Sequence, residues 1–305
     1  MNHELIRGTT WVAALVKKDG ELDDLVDRIE VKTEDPETTI GKIREWLRQR
    51  SADICGVGIG TFGPIDGHVD SATYGFITTT PKKGWMNTDV VGLLGLRDEF
   101  KDIPYKFDTD VNAPALAEFA LKGIPNSNSG AYVTVGTGVG VGLVVNGQTV
   151  HGLVHPEAGH ISVRPMTLID GSLDPFVGTC PFHGACIEGM VSNAALAARA
   201  GVQPSELPSL EDDHEVWDYC AYYLAQLAVS LILIASPERI VFGGGVFNRT
   251  CLYDKIRAKT QDLLKGYIQH EAITTREGIE KYICASHWGN NAGIVGVAFL
   301  AFKAS

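Results

Sequence analysis

The chain has 305 residues, of which 45% are apolar, 8% aromatic and 21% charged, a balance that excludes intrinsic disorder as its main state. Lys and Arg number 26 against 37 Asp and Glu, a formal charge of −11, which argues against a nucleic-acid partner because such affinity rests on many cationic contacts to phosphate. The 6 cysteines are too sparse for a disulfide scaffold, and no basic-then-apolar leader pattern opens the chain, so a cytoplasmic protein with no membrane partner is expected.

In chain order, residues 12–16 form a short apolar run, and residues 36–49 space Ile40, Ile43 and Leu47 for an amphipathic helix. Residues 53–60 then read as a buried strand ending in glycine. Residues 105–108 suggest another strand and 113–121 the helix after it, with Pro114 tolerated in the first turn. Asp108 and Asp110 therefore fall at a strand end, where open α/β sheets place ligands.

A second block follows the Ser/Asn/Gly-rich stretch 125–130. The β-branched runs 131–134 and 141–145 flank a glycine-rich turn and predict a hairpin. Residues 217–235 predict a long apolar helix; its most apolar window, 224–235, is too short to span a bilayer and suits a buried helix. A strand at 239–242 enters Gly243-Gly244-Gly245, and a strand at 282–285 precedes a small-residue helix at 292–299. Twofold use of strand, glycine turn and helix points to two related α/β domains.

Three segments carry chemistry. Gly136, Thr137, Gly138, Gly140 and Gly142 form a turn whose N–H groups can face an anion, or one whose small residues merely permit packing. It is not a Walker A loop, since no Gly-Lys-Ser/Thr follows. Gly243, Gly244, Gly245 and Val246 could admit a base or ribose to the backbone, or simply connect strand to helix. Cys180, His183 and Cys186 offer soft or borderline ligands on one short loop, and His160 could complete a tetrahedral zinc set, structural because four protein ligands leave no open position. Asp110 and Glu157 are candidate contacts to a hydroxyl-rich substrate. Asp108 or Asp110 could act as a general base, while Asp110 could instead cap the following helix.

Together these stretches resemble the ROK family of sugar kinases, in particular its zinc-containing fructokinase branch. The matching segments are IGTFGPID at 59–66, ITTTPKKGW at 77–85, DTDVNAPALAE at 108–118, VTVGTGVGVG at 133–142, HPEAGH at 155–160, CPFHGACIEG at 180–189 and FGGGV at 242–246. The resemblance implies a two-domain actin-like, hexokinase-like (ribonuclease H-like) fold around an interdomain cleft, assembled as a homodimer. The smaller domain would be residues 1–112, with the C-terminal helix packing back, and the larger 113–305 with the zinc loop. It implies phosphoryl transfer from ATP with Mg²⁺ to a sugar, foremost fructose to give fructose 6-phosphate. By the same resemblance Asp110 is the catalytic base, and Thr79, Asn112, Glu157, His160 and Glu188 serve the sugar. Gly8, Thr9, Thr10, Gly136, Thr137, Gly138, Gly140, Gly243, Gly244, Gly245 and Val246 serve the nucleotide, and His160, Cys180, His183 and Cys186 hold Zn²⁺.

One loop departs from the family pattern. Related kinases usually begin with an acidic residue followed by Ala-Gly-Gly-Thr-Lys, whereas here Leu5 takes the acidic place, Arg7 the first glycine and Thr10 the lysine. Two other readings follow: a kinase for glucose, mannose or an N-acetylated amino sugar, since a few contacts set sugar preference, and a sugar-binding protein with weakened catalysis.

Overall fold

The computed structural model describes residues 10–17, 24–80, 82–120 and 127–304. The first stretch of chain forms β1 (Thr10–Val16), β2 (Leu25–Lys32), α1 (Pro36–Arg48), β3 (Val57–Thr61), β4 (Phe76–Ile77), β5 (Thr88–Asp89), α2 (Val90–Leu93), β6 (Tyr105–Thr109) and α3 (Asn112–Ala120). It is followed by β7 (Gly130–Val135), β8 (Val139–Val145), β9 (Gln148–Thr149), α4 (Ile187–Val191), α5 (Asn193–Ala200), α6 (Val216–Ala235) and β10 (Arg239–Gly243). The remainder forms α7 (Cys251–Leu264), α8 (Glu271–Thr274), α9 (Arg276–Tyr282), β11 (Ile283–Ala285) and α10 (Ala292–Ala304).

These elements make two compact units, one of residues 1–126, 142–156 and 287–305, the other of residues 127–141 and 157–286. The division differs from a single cut after residue 112: α3 stays in the first unit, and the chain returns there twice. Packing of α10 on α3 and β3 explains the last return.

In the first unit β1 and β2 pair antiparallel, with Trp11 opposite Val31 and Ala13 opposite Ile29. The strand β2 went unmarked among the sequence expectations, although Ile29 and Val31 alternate with charged residues. Asp35 caps α1 by accepting the Thr38 N–H at 2.8 Å, Pro36 suits its first turn, and Ile40, Ile43, Trp46 and Leu47 are buried beneath it. The strand expected at 53–60 begins later, at Val57, because Ser51–Asp53 close a 3-10 turn behind α1. From there β3 runs parallel to β6, from Val57 beside Tyr105 to Thr61 beside Thr109.

The α10 backbone lies directly on β3 and α3. A Cβ at Gly58 would stand 1.8 Å from the Val297 carbonyl oxygen, and one at Gly296 would stand 2.2 Å from the Ala113 carbonyl carbon. Only glycine permits such an approach at either position. Trp11 stacks on Trp85 with centroids 5.4 Å apart, and Phe62 meets the edge of Trp85 at 5.2 Å.

In the second unit the strand order is β11-β10-β7-β8, with β10 parallel to both β7 and β11. Strand β8 starts here at Val139 and continues past Gly142 as first-unit chain, pairing there with β9. Helix α6 is 20 residues long, so by length and composition it could cross a membrane. It buries Trp217, Tyr223, Leu224, Leu227 and Leu231 and packs against α4 and α7.

Candidate functional site

The parallel pairing of β3 and β6 sets the first group of residues. Beyond the last ladder pair, the Asp110 N–H donates to the Thr61 carbonyl at 2.8 Å, which fixes the backbone of an exposed aspartate. The neighbouring acid is inside. Asp108 is 4% exposed. Its Oδ1 accepts from the Thr109 N–H at 2.7 Å and Asn112 Nδ2 at 2.8 Å, and its Oδ2 accepts from the Thr149 hydroxyl at 3.1 Å. His151 Nε2 lies 3.2 Å from the same Oδ2. Asp108 is thus a fully engaged, buried carboxylate, whereas Asp110 is exposed.

A hydroxyl also serves the start of α3: Thr109 Oγ1 accepts the Asn112 N–H at 2.9 Å. Asn112 is itself fully buried, and its Oδ1 has no hydrogen-bond partner among the described residues. It therefore braces Asp108 from within rather than meeting solvent.

Two neighbours were missed in the sequence. The Asp108 hydrogen bond raises the His151 pKa above its ordinary 6.5, against the opposing effect of burial. Lys82 rests its ammonium over the Phe62 ring, 4.2 Å from the centroid. Burial pushes Lys82 below the ordinary lysine range, and the charge of Asp110 opposes that push. The PKKGW stretch was the signal for Lys82, but lysine alone does not announce a half-buried position. Thr79 is exposed, next to Thr78, whose hydroxyl donates to the Pro64 carbonyl at 3.0 Å. Thr10 opens β1 opposite Lys32, while Gly8 and Thr9 lie outside the described residues.

In the second unit the two glycine turns come together. A Cβ on Gly136 would lie 3.9 Å from the Gly245 nitrogen. The first turn closes through the Gly136 N–H, which donates to the Gly138 carbonyl at 2.9 Å; Thr137 between them is exposed, and Gly140 follows in β8. In the second turn Gly243 ends β10, Gly244 adopts φ 91°, and Gly245 begins a short 3-10 turn in which Val246 is buried. The Val246 side chain therefore serves the turn's packing.

His160, Cys180, His183 and Cys186 also converge, their ligand atoms all lying within 4.8 Å of one another. Cys180 Sγ is 3.7 Å from Nδ1 of both His160 and His183, and Cys186 Sγ is 3.6 Å from His160 Nδ1. A tetrahedral zinc with bonds of about 2.3 Å to sulfur and about 2.1 Å to nitrogen would set S···N separations of about 3.6 Å, so the donor set fits a metal. Burial pushes the Cys186 thiol up to about 11, so a thiolate at this position calls for a cation beside it. The loop is anchored behind the ligands: Arg199 donates two hydrogen bonds to buried Asp174, at 2.9 and 2.8 Å. Glu157 is exposed at the start of the 3-10 turn Ala158–His160.

Glu188 is the second residue of α4, which Cys186 caps through its sulfur, 3.4 Å from the Gly189 nitrogen. Its Oε2 accepts the Val139 N–H at 3.0 Å. The glycine turn and the Cys/His loop are thus linked by a carboxylate.

The pattern of the ROK family matches residues 6–304. Over 261 residues the chain is 40% identical to the fructokinase of Streptococcus mutans, covering 86% of this chain and 85% of that one. It is 36% identical over 305 aligned positions to the fructokinase of Zymomonas mobilis, covering 97% and 94% respectively. Among solved structures it resembles the ROK hexokinase of Thermus thermophilus, with a TM-score of 0.70 and 23% identity across 97% of this chain and 95% of that chain. A ROK family glucokinase from Streptomyces griseus, solved with glucose and AMPPNP, gives a TM-score of 0.70 and 20% identity across 97% of both chains. The structural likeness establishes the two-domain actin-like, hexokinase-like fold.

Proposed function

The chain belongs to the ROK family, and from that premise we propose that it is an ATP-dependent fructokinase forming fructose 6-phosphate. The observation that carries the kinase reading is the pair of unlike acids at the end of β6: Asp108 buried and fully hydrogen-bonded, Asp110 exposed on a fixed backbone. Fructose is favoured because the fructokinases aligned with it share 34–40% identity over most of the chain.

Asp110 takes the proton from the sugar's 6-hydroxyl as that oxygen attacks the γ-phosphorus; the β,γ-bridging oxygen departs with ADP. The substrate nucleotide is MgATP. N–H groups of the Gly136–Gly140 turn, with the Thr137 hydroxyl, hold phosphate, and Gly243, Gly244, Gly245 and Val246 hold the adenosine. Gly8, Thr9 and Thr10 form the remaining phosphate contact. Thr79, Glu157, His160 and Glu188 engage sugar hydroxyls, while Asn112 keeps Asp108 and the start of α3 in place. Zn²⁺ is the ion we assign to His160, Cys180, His183 and Cys186, and with four protein ligands its contribution is to hold the loop. The working form is a cytoplasmic homodimer, checked by light scattering of the purified protein.

The replacement of the loop lysine by Thr10 supports a second reading, sugar binding with weak turnover. ADP release from MgATP, measured across fructose, glucose, mannose and N-acetylated amino sugars, separates the readings. Fructose is expected to give the highest kcat/KM, and Asp110→Asn to lower kcat by about 10²–10⁴-fold with the melting temperature unchanged. A different best sugar removes the fructose assignment; full activity in Asp110→Asn removes the base; no sugar-stimulated turnover leaves the sugar-binding reading.

A further inference from the structure

The glycine turn at 136–140 is held from three directions by chain that flanks the metal ligands. At its start the Gly136 carbonyl accepts the Asn193 N–H at 2.8 Å. At its end the Val139 N–H donates to Glu188 Oε2 at 3.0 Å. The Val139 carbonyl oxygen lies so near Gly159 that a Cβ there would stand 2.0 Å away. Gly138 is pressed on the same carboxylate, since a Cβ on it would stand 2.6 Å from Glu188 Oε2. Glu188 and Asn193 follow Cys186, and Gly159 immediately precedes His160.

A negative side chain in this place is electrostatically unfavourable for a phosphate-binding turn, because like charges close together repel. It weakens anion binding unless its hydrogen bond does something the turn needs. An N–H cradle works only when its donors are already arranged, and a turn built from glycine has the greatest backbone freedom to lose. From these contacts we infer that Glu188 is a positioning residue for the nucleotide: its carboxylate splints the 136–140 turn through the Val139 N–H. One oxygen of Glu188 is committed to this splint, so a sugar contact falls to the other, Oε1.

The inference rests on the reading of 136–140 as a phosphate-holding turn. It also makes a prediction of opposite sign to a purely electrostatic or sugar-only role. Removing the charge but keeping an acceptor, as in Glu188→Gln, leaves the splint and removes the repulsion. Removing both, as in Glu188→Ala, frees the turn.

The test is the Kd of MgADP, measured by calorimetry without sugar on full-length, metal-loaded protein. Glu188→Gln is expected to bind as tightly as the unaltered protein or more tightly, and Glu188→Ala to bind about tenfold more weakly, the scale of a lost hydrogen bond to a charged group. Metal content and melting temperature accompany each measurement. Gly138→Ala displaces the carboxylate without removing it and is expected to weaken MgADP in the same direction, which keeps the inference testable should Glu188→Ala fail to fold. Gly136→Val tests the underlying reading, since the space around Gly136 admits a side chain that would block phosphate. If Gly136→Val weakens MgADP but Glu188→Ala and Gly138→Ala do not, the splint is refuted alone. If Gly136→Val also leaves the Kd unchanged, the phosphate-turn reading falls and the splint with it.

Discussion

Two aspartates separated only by Thr109 meet opposite fates at the end of β6, and side-chain company decides which is which. Asp108 points into hydrogen-bond donors, and His151 gains from being charged beside it. The sign of the resulting pH dependence follows. A histidine whose folded pKa is raised contributes stability that is complete below its unfolded value of about 6.5 and is lost as pH rises through the higher folded value. Thermal melts of the unaltered protein and of His151→Asn should therefore differ most below pH 6.5 and converge as the medium becomes alkaline. A gap that widens with rising pH would show that the imidazole is held neutral instead. The strand-end position of both acids was legible from the order of apolar run and helix. Their division of labour was not, because it depends on Thr149 and His151, brought to Asp108 by a later strand.

At the scale of elements, the Cys/His loop shows what spacing can and cannot disclose. Cys180, His183 and Cys186 were readable as a ligand group because a short loop needs little folding to bring them together, and His160 joins them as expected. The Asp174–Arg199 anchor was unreadable, since neither residue has a partner nearby in sequence. The consequence for metal removal is local. Chelation should expose residues 161–186 to limited proteolysis and lower the melting temperature, with both changes reversed by adding Zn²⁺. If the stripped protein resists protease as well as the loaded one, the four side chains are held by packing alone. The strand β2 went unread for a different reason: exposed Val26 and inward-side Asp27 break the alternation at its start, leaving only Ile29 and Val31 in register.

At the scale of the whole molecule, the least legible feature was where one unit ends and the other begins. Boundaries are set by long-range packing, and the decisive contacts here join α10 to β3 and α3 across most of the chain. Gly58 tests that seam. With the Val297 carbonyl oxygen 1.8 Å from where a Cβ would stand, Gly58→Ala must displace helix or strand backbone. It should cost about 1–3 kcal/mol or more, measured by urea unfolding. Unchanged stability would mean that α10 moves aside freely. The paired substitution at Gly296 should not add to it fully, because both changes push on the same helix.

The interrupted layout of the first unit also orders events during synthesis. As the ribosome delivers the chain from its amino end, all of residues 127–141 and 157–286 precede α10. The second unit thus has its full complement of residues while the first, begun earlier, still lacks the helix that covers Gly58. The part of the protein that is translated first is the part that must wait longest to be complete, with apolar strand surface open to the cell until the final helix arrives.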